Sequence, residues 1–293
     1  MAIPAASFSL ADMVFVPPTR ISPSQYARVL ACPYQSLLTK TTEAKSLPGA
    51  MSSGGAAAVG TIVHSMLELA ASTDLSSPGT FDTAWQKFLR QKETELSQKG
   101  NTNLIPLAYR ARGYAVTKLL LRWQLTRMGM PTPPTPGTGL PLGPEQWLED
   151  ATGSIGGIAD LIRLTASGPE IVDYKTGPIF QLNALAEPEI KPAYAQQLQL
   201  YAALFHDKTS RWPTRLLLAD LAGNEHEVNF TESDCRQLLD NSRQLLARIQ
   251  AAVVAANPES LAVPSVAQCR FCQVRPLCRP VESWLAQSES AQL

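Results

Sequence analysis

The stretch Gly168-Pro-Glu-Ile-Val-Asp-Tyr-Lys-Thr-Gly177 decides how the rest of the chain is read. It reads as a short apolar strand with an acid and a lysine at its exit. Side chains alternate along a strand, so Asp173 and Lys175 fall on one side, and Val172 and Tyr174 on the other. Thirteen residues before Asp173, Gly157-Ile-Ala-Asp160-Leu-Ile-Arg-Leu reads as a second strand, with Ser167-Gly168-Pro169 as the turn between them. A hairpin of these two strands brings Asp160 and Asp173 together. Two adjacent carboxylates repel unless a cation sits between them, and a hard divalent ion such as Mg²⁺ is the usual one.

An isolated Asp-x-Lys pair is an ordinary feature of a strand surface. Here it belongs to an ordered set: Gly60-Thr-Ile-Val-His64, Gly157 to Asp160, Asp173 to Lys175, and Gln197-Leu-Gln-Leu-Tyr201. That order resembles the RecB-type branch of the PD-(D/E)XK nucleases. Ser22-Pro-Ser-Gln-Tyr26 through Cys32-Pro33, and Cys269-x-x-Cys272-x5-Cys278, narrow the resemblance to its iron-sulfur members. These are nuclease domains of AddB type, CRISPR-associated RecB-like exonucleases and standalone single-strand exonucleases. The resemblance runs from about residue 21 to 280.

Composition describes a globular protein: 293 residues, 45% hydrophobic and 17% charged, enough to bury a large core. No run of 18 apolar residues is present, and no basic residue precedes Arg20. Neither a membrane helix nor a secretory signal is therefore expected, and the cytoplasm is the expected compartment. Five cysteines without a signal argue for metal ligation or free thiols, not a disulfide framework. The 25 basic and 25 acidic residues leave no overall basic footprint for nucleic acid. Residues 101–130 nevertheless hold Arg110, Arg112, Lys118, Arg122 and Arg127 and no acid, and Arg110, Lys118 and Arg122 are the candidate DNA contacts.

Along the chain, residues 1–20 read as a tail or strap. Ser22 caps a short helix that starts at Pro23, with Ile21 placed against Tyr26, and that helix delivers Cys32. Residues 46–57 read as a loop. Val59, Val63, Met66, Leu67 and Ala70 mark an amphipathic helix from about 58 to 71, with His64 one position from the apolar stripe and Gly60 a turn earlier. Glu68, one further turn on, is expected to face solvent. Residues 80–99 and 104–128 read as two more helices, and Pro131 to Pro144 as a proline-rich loop; together, residues 74–144 form a helical insertion. Tyr109, Tyr114 and Trp123 lie in it as bases' stacking partners or as core aromatics. Residues 190–206 read as a helix with Gln197 and Tyr201 on one face. Arg215 to Leu221 and Glu225 to Phe230 read as a hairpin around Gly223-Asn224, and Thr231 caps a helix to about Ala256. Cys235, in that helix's first turn, is expected to be a passive thiol.

Cys269, Cys272 and Cys278 need a fourth ligand, and the resemblance makes it Cys32. By spacing alone, four cysteines suit zinc or a 4Fe-4S cluster equally. The resemblance favours the cluster, as a clasp relieving about 5 kcal/mol of closure entropy between the chain's two ends. It further implies one α/β domain over residues 1–293: a mixed sheet of about five strands flanked by helices, with the helical insertion and the clasp. His64, Asp160, Asp173 and the Tyr174 backbone carbonyl then hold Mg²⁺ or Mn²⁺. Asp160, Asp173, Lys175, Gln197 and Tyr201 are the catalytic residues it implies, Gln197 and Tyr201 lining the site and helping to hold DNA. The implied activity is hydrolysis of DNA, by an exonuclease acting on single-stranded or frayed ends in repair or CRISPR adaptation. No Gly-Lys dipeptide exists to form a phosphate-binding loop, so a helicase or adaptation partner is expected to open the strands. Two other readings stay open: a non-catalytic scaffold for such a partner, and a zinc-clasped nucleic-acid-binding protein.

Overall fold

The computed structural model describes residues 13–47, 54–128, 140–281 and 284. They fall into two compact units. One is formed by the described parts of Met1–Ile21, Gln25–Ser52 and Ser242–Leu293, the other by Ser22–Ser24 and the described parts of Ser53–Asn241. Residues 1–12 of the expected tail, 48–53 of the first expected loop and 131–139 of the second lie outside the described residues.

The second unit is built on a five-stranded mixed sheet, as expected. Its strands are β1 (Gly143–Glu149), β2 (Gly156–Thr165), β3 (Gly168–Lys175), β6 (Arg215–Asp220) and β7 (Glu225–Glu227), in the order β1-β2-β3-β6-β7. Antiparallel pairing joins β1 to β2, β2 to β3 and β6 to β7, while β3 and β6 run parallel. A parallel pair needs a long crossover. It is supplied by the small hairpin β4 (Phe180–Leu182) and β5 (Pro188–Ile190), followed by α8 (Pro192–Thr209). β3 lies in the middle of the sheet, and Glu170 to Asp173 are all buried. The unbroken apolar run Leu216-Leu217-Leu218 on β6 is the pattern of a strand covered on both faces.

Three boundaries differ from expectation. The β2–β3 turn is Ala166-Ser167, with Thr165 opposite Gly168; Gly168, at φ 127, already belongs to the strand. The expected helix over 104–128 is broken into α6 (Leu107–Arg110) and α7 (Tyr114–Met128). Pro106 has no N–H to continue a helix from the amino side, and Gly113 takes a left-handed φ of 82 that ends one. β1 occupies the end of the expected proline-rich loop. Only Leu148 of that strand is buried, so it lacks the alternation that marks strands in a sequence.

α4 (Gly55–Ala70), α5 (Pro78–Gln98) and α7 share one core, in which Ile62, Val63, Met66, Phe81, Trp85 and Leu121 are essentially inaccessible. Tyr114 joins that core: Trp85 Nε1 donates to its hydroxyl at 2.7 Å, and the two rings meet edge-on at 5.6 Å. Tyr109 and Trp123 are exposed. α9 (Glu232–Val254) starts where Thr231 accepts a hydrogen bond from Asp234 N.

In the first unit, α1 (Pro23–Ala31) leads to α2 (Pro33–Leu38) and α3 (Thr42–Ser46), with Cys32 at the N-cap of α2. Ile21 and Tyr26 are both buried, as the stapled helix start requires. Ahead of them the chain runs without regular structure; the Phe15 ring stands 6.0 Å from Tyr34, and Pro18 accepts from Gln250 Nε2. After α9 come α10 (Val266–Cys269) and a short turn through Cys278. Among the described residues no helix is long and apolar enough to cross a membrane.

Candidate active site

Asp160 and Asp173 lie one position beyond the paired residues Leu161 and Val172, so the hairpin does place them side by side. Asp160 Oδ2 accepts the Tyr174 N–H at 2.8 Å, taking a side chain where the ladder would continue. Its other oxygen faces α4, where His64 Nδ1 stands 3.4 Å from Oδ1. α4 can come this close because Gly60 has no side chain: a Cβ there would sit 3.1 Å from Thr176 Oγ1, at the exit of β3. Burial works against protonating His64. Its hydrogen bond to Asp160, with the fields of Asp160, Asp173 and Glu145, outweighs burial and raises its pKa.

On the same side of β3, Lys175 Nζ lies 2.5 Å from Asp173 Oδ2. The ammonium thus meets this buried oxygen directly, as an ion pair. Gln197, on α8, spans the pair: its Nε2 donates to Asp173 Oδ1 at 2.7 Å, and its Oε1 accepts from Lys175 Nζ at 2.9 Å. Burial, then the Asp160 charge, pushes the Asp173 pKa up; Lys175 and His64 oppose them without cancelling them. Tyr194, one turn ahead of Gln197, offers its ring to Lys175 at 4.4 Å. Tyr201, one turn beyond, is buried and donates its hydroxyl to the Ile158 carbonyl at 2.5 Å. Gly157 makes room for that contact, since a Cβ there would lie 3.2 Å from the Tyr201 hydroxyl. Tyr201 therefore fixes β2 two residues before Asp160 and is not itself open to a substrate.

Sequence reasoning missed Glu145. One ligand atom each from His64, Glu145 and Asp160 lie within 4.8 Å of one another, the only such group among the described residues. Glu145 reaches this place through a distorted backbone, with φ 50, in the left-handed region. The β1–β2 register is the same on either side of it, and Glu145–Asp160 is the one pair skipped. Burial raises the Glu145 pKa, as does the charge on Asp160. All three residues line a cavity of about 100 Å³, together with the exposed Glu68 and the Tyr174 side chain. Burial and then Asp160 push the Tyr174 phenol up to about 12.

The sequence profile of the PD-(D/E)XK nuclease superfamily matches residues 20–279. The chain belongs to that superfamily. Its members are nucleases, hydrolases that use divalent metals, and the match includes residues of both compact units. No curated protein matches the chain. A divalent ion fits this PD-(D/E)XK site on its own evidence. An imidazole and two carboxylates converge, and burial with the Asp160 charge raises the Glu145 pKa above its ordinary value.

Two of the three candidate DNA contacts are paired with an acid inside the helical insertion. Asp82 of α5 pairs with Lys118 at 2.7 Å and with Arg122 at 3.9 Å, while Arg110 is exposed on α6. Residues 101–130 lack acids, yet the fold brings one from the neighbouring helix.

In the first unit, Cys32, Cys269, Cys272 and Cys278 all line one cavity. Their sulfurs are not drawn into a tight group: no three lie within 4.8 Å of one another. Burial pushes the Cys278 thiol up to about 11, against an opposing backbone hydrogen bond at Val281 and with the neighbouring thiols adding to the rise. Cys235 is buried on α9 and does not line that cavity.

Proposed function

We propose that the chain is a metal-dependent deoxyribonuclease of the RecB-like iron-sulfur branch, acting as an exonuclease on single-stranded or frayed DNA. The observation that carries this reading is the convergence of His64, Glu145 and Asp160 beside the Asp173–Lys175–Gln197 triad. His64, Asp160 and Asp173, with the Tyr174 carbonyl, would hold Mg²⁺ or Mn²⁺, and Glu145 is placed to complete the set. When bound, such an ion supplies a Lewis acid for the scissile phosphate and lowers the pKa of its water.

The chain's own groups do the rest. Lys175, confined by Asp173, Gln197 and the Tyr194 ring, presents an ammonium that orients the attacking water and offsets charge developing on the phosphate. Gln197 keeps the acid and the lysine in register, and Tyr201 anchors the strand that carries Asp160. Hydrolysis adds the water oxygen to phosphorus and releases the neighbouring sugar oxygen with a proton.

Four cysteines lining one cavity support a 4Fe-4S cluster held by Cys32, Cys269, Cys272 and Cys278. Zinc takes four cysteines as well, and the resemblance to the iron-sulfur members is what favours the cluster. A helicase or an adaptation complex would deliver the strand, because the chain has no phosphate-binding loop of its own.

The test is cleavage of end-labelled single-stranded, overhanged and blunt duplex DNA at one salt concentration, with Mg²⁺, Mn²⁺ or chelator. Metal-dependent loss of the single strand, abolished in Asp173→Ala and Lys175→Ala, is the expected result. Cleavage at the parent's rate by either folded variant would remove these residues from the reaction.

A further inference from the structure

A second and larger cavity, of about 420 Å³, stands next to the metal-binding residues. Leu161 and Tyr174 line both cavities, so they adjoin across these two side chains. The volume falls within the range of about 300–1,000 Å³ typical of sites for small organic groups.

Its walls have an unusual composition. Trp123, on α7, is 47% exposed and lines the cavity, and the guanidinium of Arg127 lies 4.3 Å from its ring centroid. Gln124 lines it too, with its Oε1 buried out of reach of the cavity. Arg163 is not available as an anion-binding group. Glu225 holds it through two bonds of 2.7 and 2.8 Å, and Glu170 through another of 2.8 Å. The cavity thus offers an indole ring and a guanidinium, Arg127, that pairs with no acid among the described residues. That combination suits a nucleotide, with a planar base for the ring and a phosphate for the guanidinium.

We propose that this cavity receives an unpaired base of the DNA strand whose backbone lies at the His64–Asp160 site. Trp123 stacks on the base. The proposal rests on the nuclease reading above and adds where the substrate's base goes. It also supplies a reason for single-strand preference, since a base inside a duplex is not free to enter.

The test is fluorescence anisotropy of labelled oligonucleotides with the full chain in chelator, where binding is read without cleavage. Trp123→Ala is expected to weaken binding of a single strand by about 5- to 100-fold, the range found when a base-stacking aromatic is removed. Trp123→Phe should retain most of the affinity. An oligonucleotide of abasic sites should bind the parent and Trp123→Ala alike.

Equal binding of the normal single strand by the parent and Trp123→Ala would overturn the proposal. So would a parent that binds no DNA. Deoxyadenosine monophosphate is the second probe. If Trp123→Ala loses the nucleotide but not the strand, the cavity takes a free nucleotide and the strand reading falls. Cleavage assays on the same preparations keep the two ideas apart. Metal-dependent cleavage without a Trp123 effect sinks the base cavity alone, and base-dependent binding without any cleavage sinks the nuclease reading alone.

Discussion

Gln197 donates its amide hydrogen to Asp173 Oδ1 at 2.7 Å, and the same amide accepts from Lys175. One neutral side chain on α8 therefore bridges the acid and the lysine of β3. Hydrogen bonds to charged groups contribute about 1.5–3 kcal/mol each, so Gln197→Ala should slow cleavage by about 10- to 100-fold. Its helical circular dichroism should match the parent's. Gln197→Glu should do worse than Ala, because a third carboxylate beside Asp173 adds repulsion and takes Lys175 for itself. Single-turnover rates in Mn²⁺ for both variants check the order. A Gln197→Glu enzyme faster than Gln197→Ala would show that the amide does not serve to bridge the two charges.

Glu145 carries a conflict between stability and function. A non-glycine residue in the left-handed region costs about 1–2 kcal/mol, and its carboxylate faces that of Asp160. Glu145→Gly should relieve both and raise the melting temperature of the metal-free protein. It should also weaken Mn²⁺ binding by about tenfold or more in calorimetric titration, since one carboxylate of the set is gone. A variant that melts lower and binds Mn²⁺ unchanged would remove Glu145 from the site and leave its backbone unexplained.

Much of this site could be read from spacing. Asp173 and Lys175 are separated by the strand period, Asp160 is placed by a hairpin whose partners are both apolar runs, and Gln197 and Tyr201 are separated by a helical turn. What those spacings cannot carry is position along a third strand. Glu145 lies in a stretch of prolines and glycines that buries only Leu148, so neither period announces a strand there. Its inward aim depends on one unusual backbone angle. Tyr194 could have been found, because it shares the helical face of Gln197 at a spacing of three. Charge pairing was legible only within segments. Residues 101–130 contain no acid, but Asp82 meets Lys118 and Arg122 through tertiary packing of α5 on α7.

The cysteine cavity should distinguish ligand from bystander. Anaerobically purified parent protein is expected to be brown and to contain about four irons per chain. Cys32→Ala and Cys269→Ala should lose iron and melt at lower temperature, because the clasp between distant parts of the chain opens. Cys235→Ala should keep its iron, since that thiol lies outside the cavity. Full iron in Cys32→Ala would exclude Cys32 as a ligand, and stoichiometric zinc in the parent would replace the cluster altogether.

Arg163 and Glu225 give a pH dependence with a defined sign. Two parallel bonds of 2.7 and 2.8 Å join them between β2 and β7. Arg163 holds the Glu225 carboxyl below its ordinary value, with burial opposing. A carboxylate whose pKa is lowered on folding stabilises the protein fully above its unfolded value, near 4.3, and loses that contribution as pH falls through the folded value. Glu225→Gln should therefore melt below the parent at pH 7, by an amount corresponding to no more than about 1 kcal/mol for so exposed a pair. The gap between the two proteins should begin to close near pH 5 and be nearly gone by pH 3. Other carboxylates titrate over the same range, but they do so in both proteins, so the difference in melting temperature isolates Glu225. A gap that stays constant from pH 7 to pH 3 would mean that Glu225 contributes through packing alone and not through its charge on Arg163.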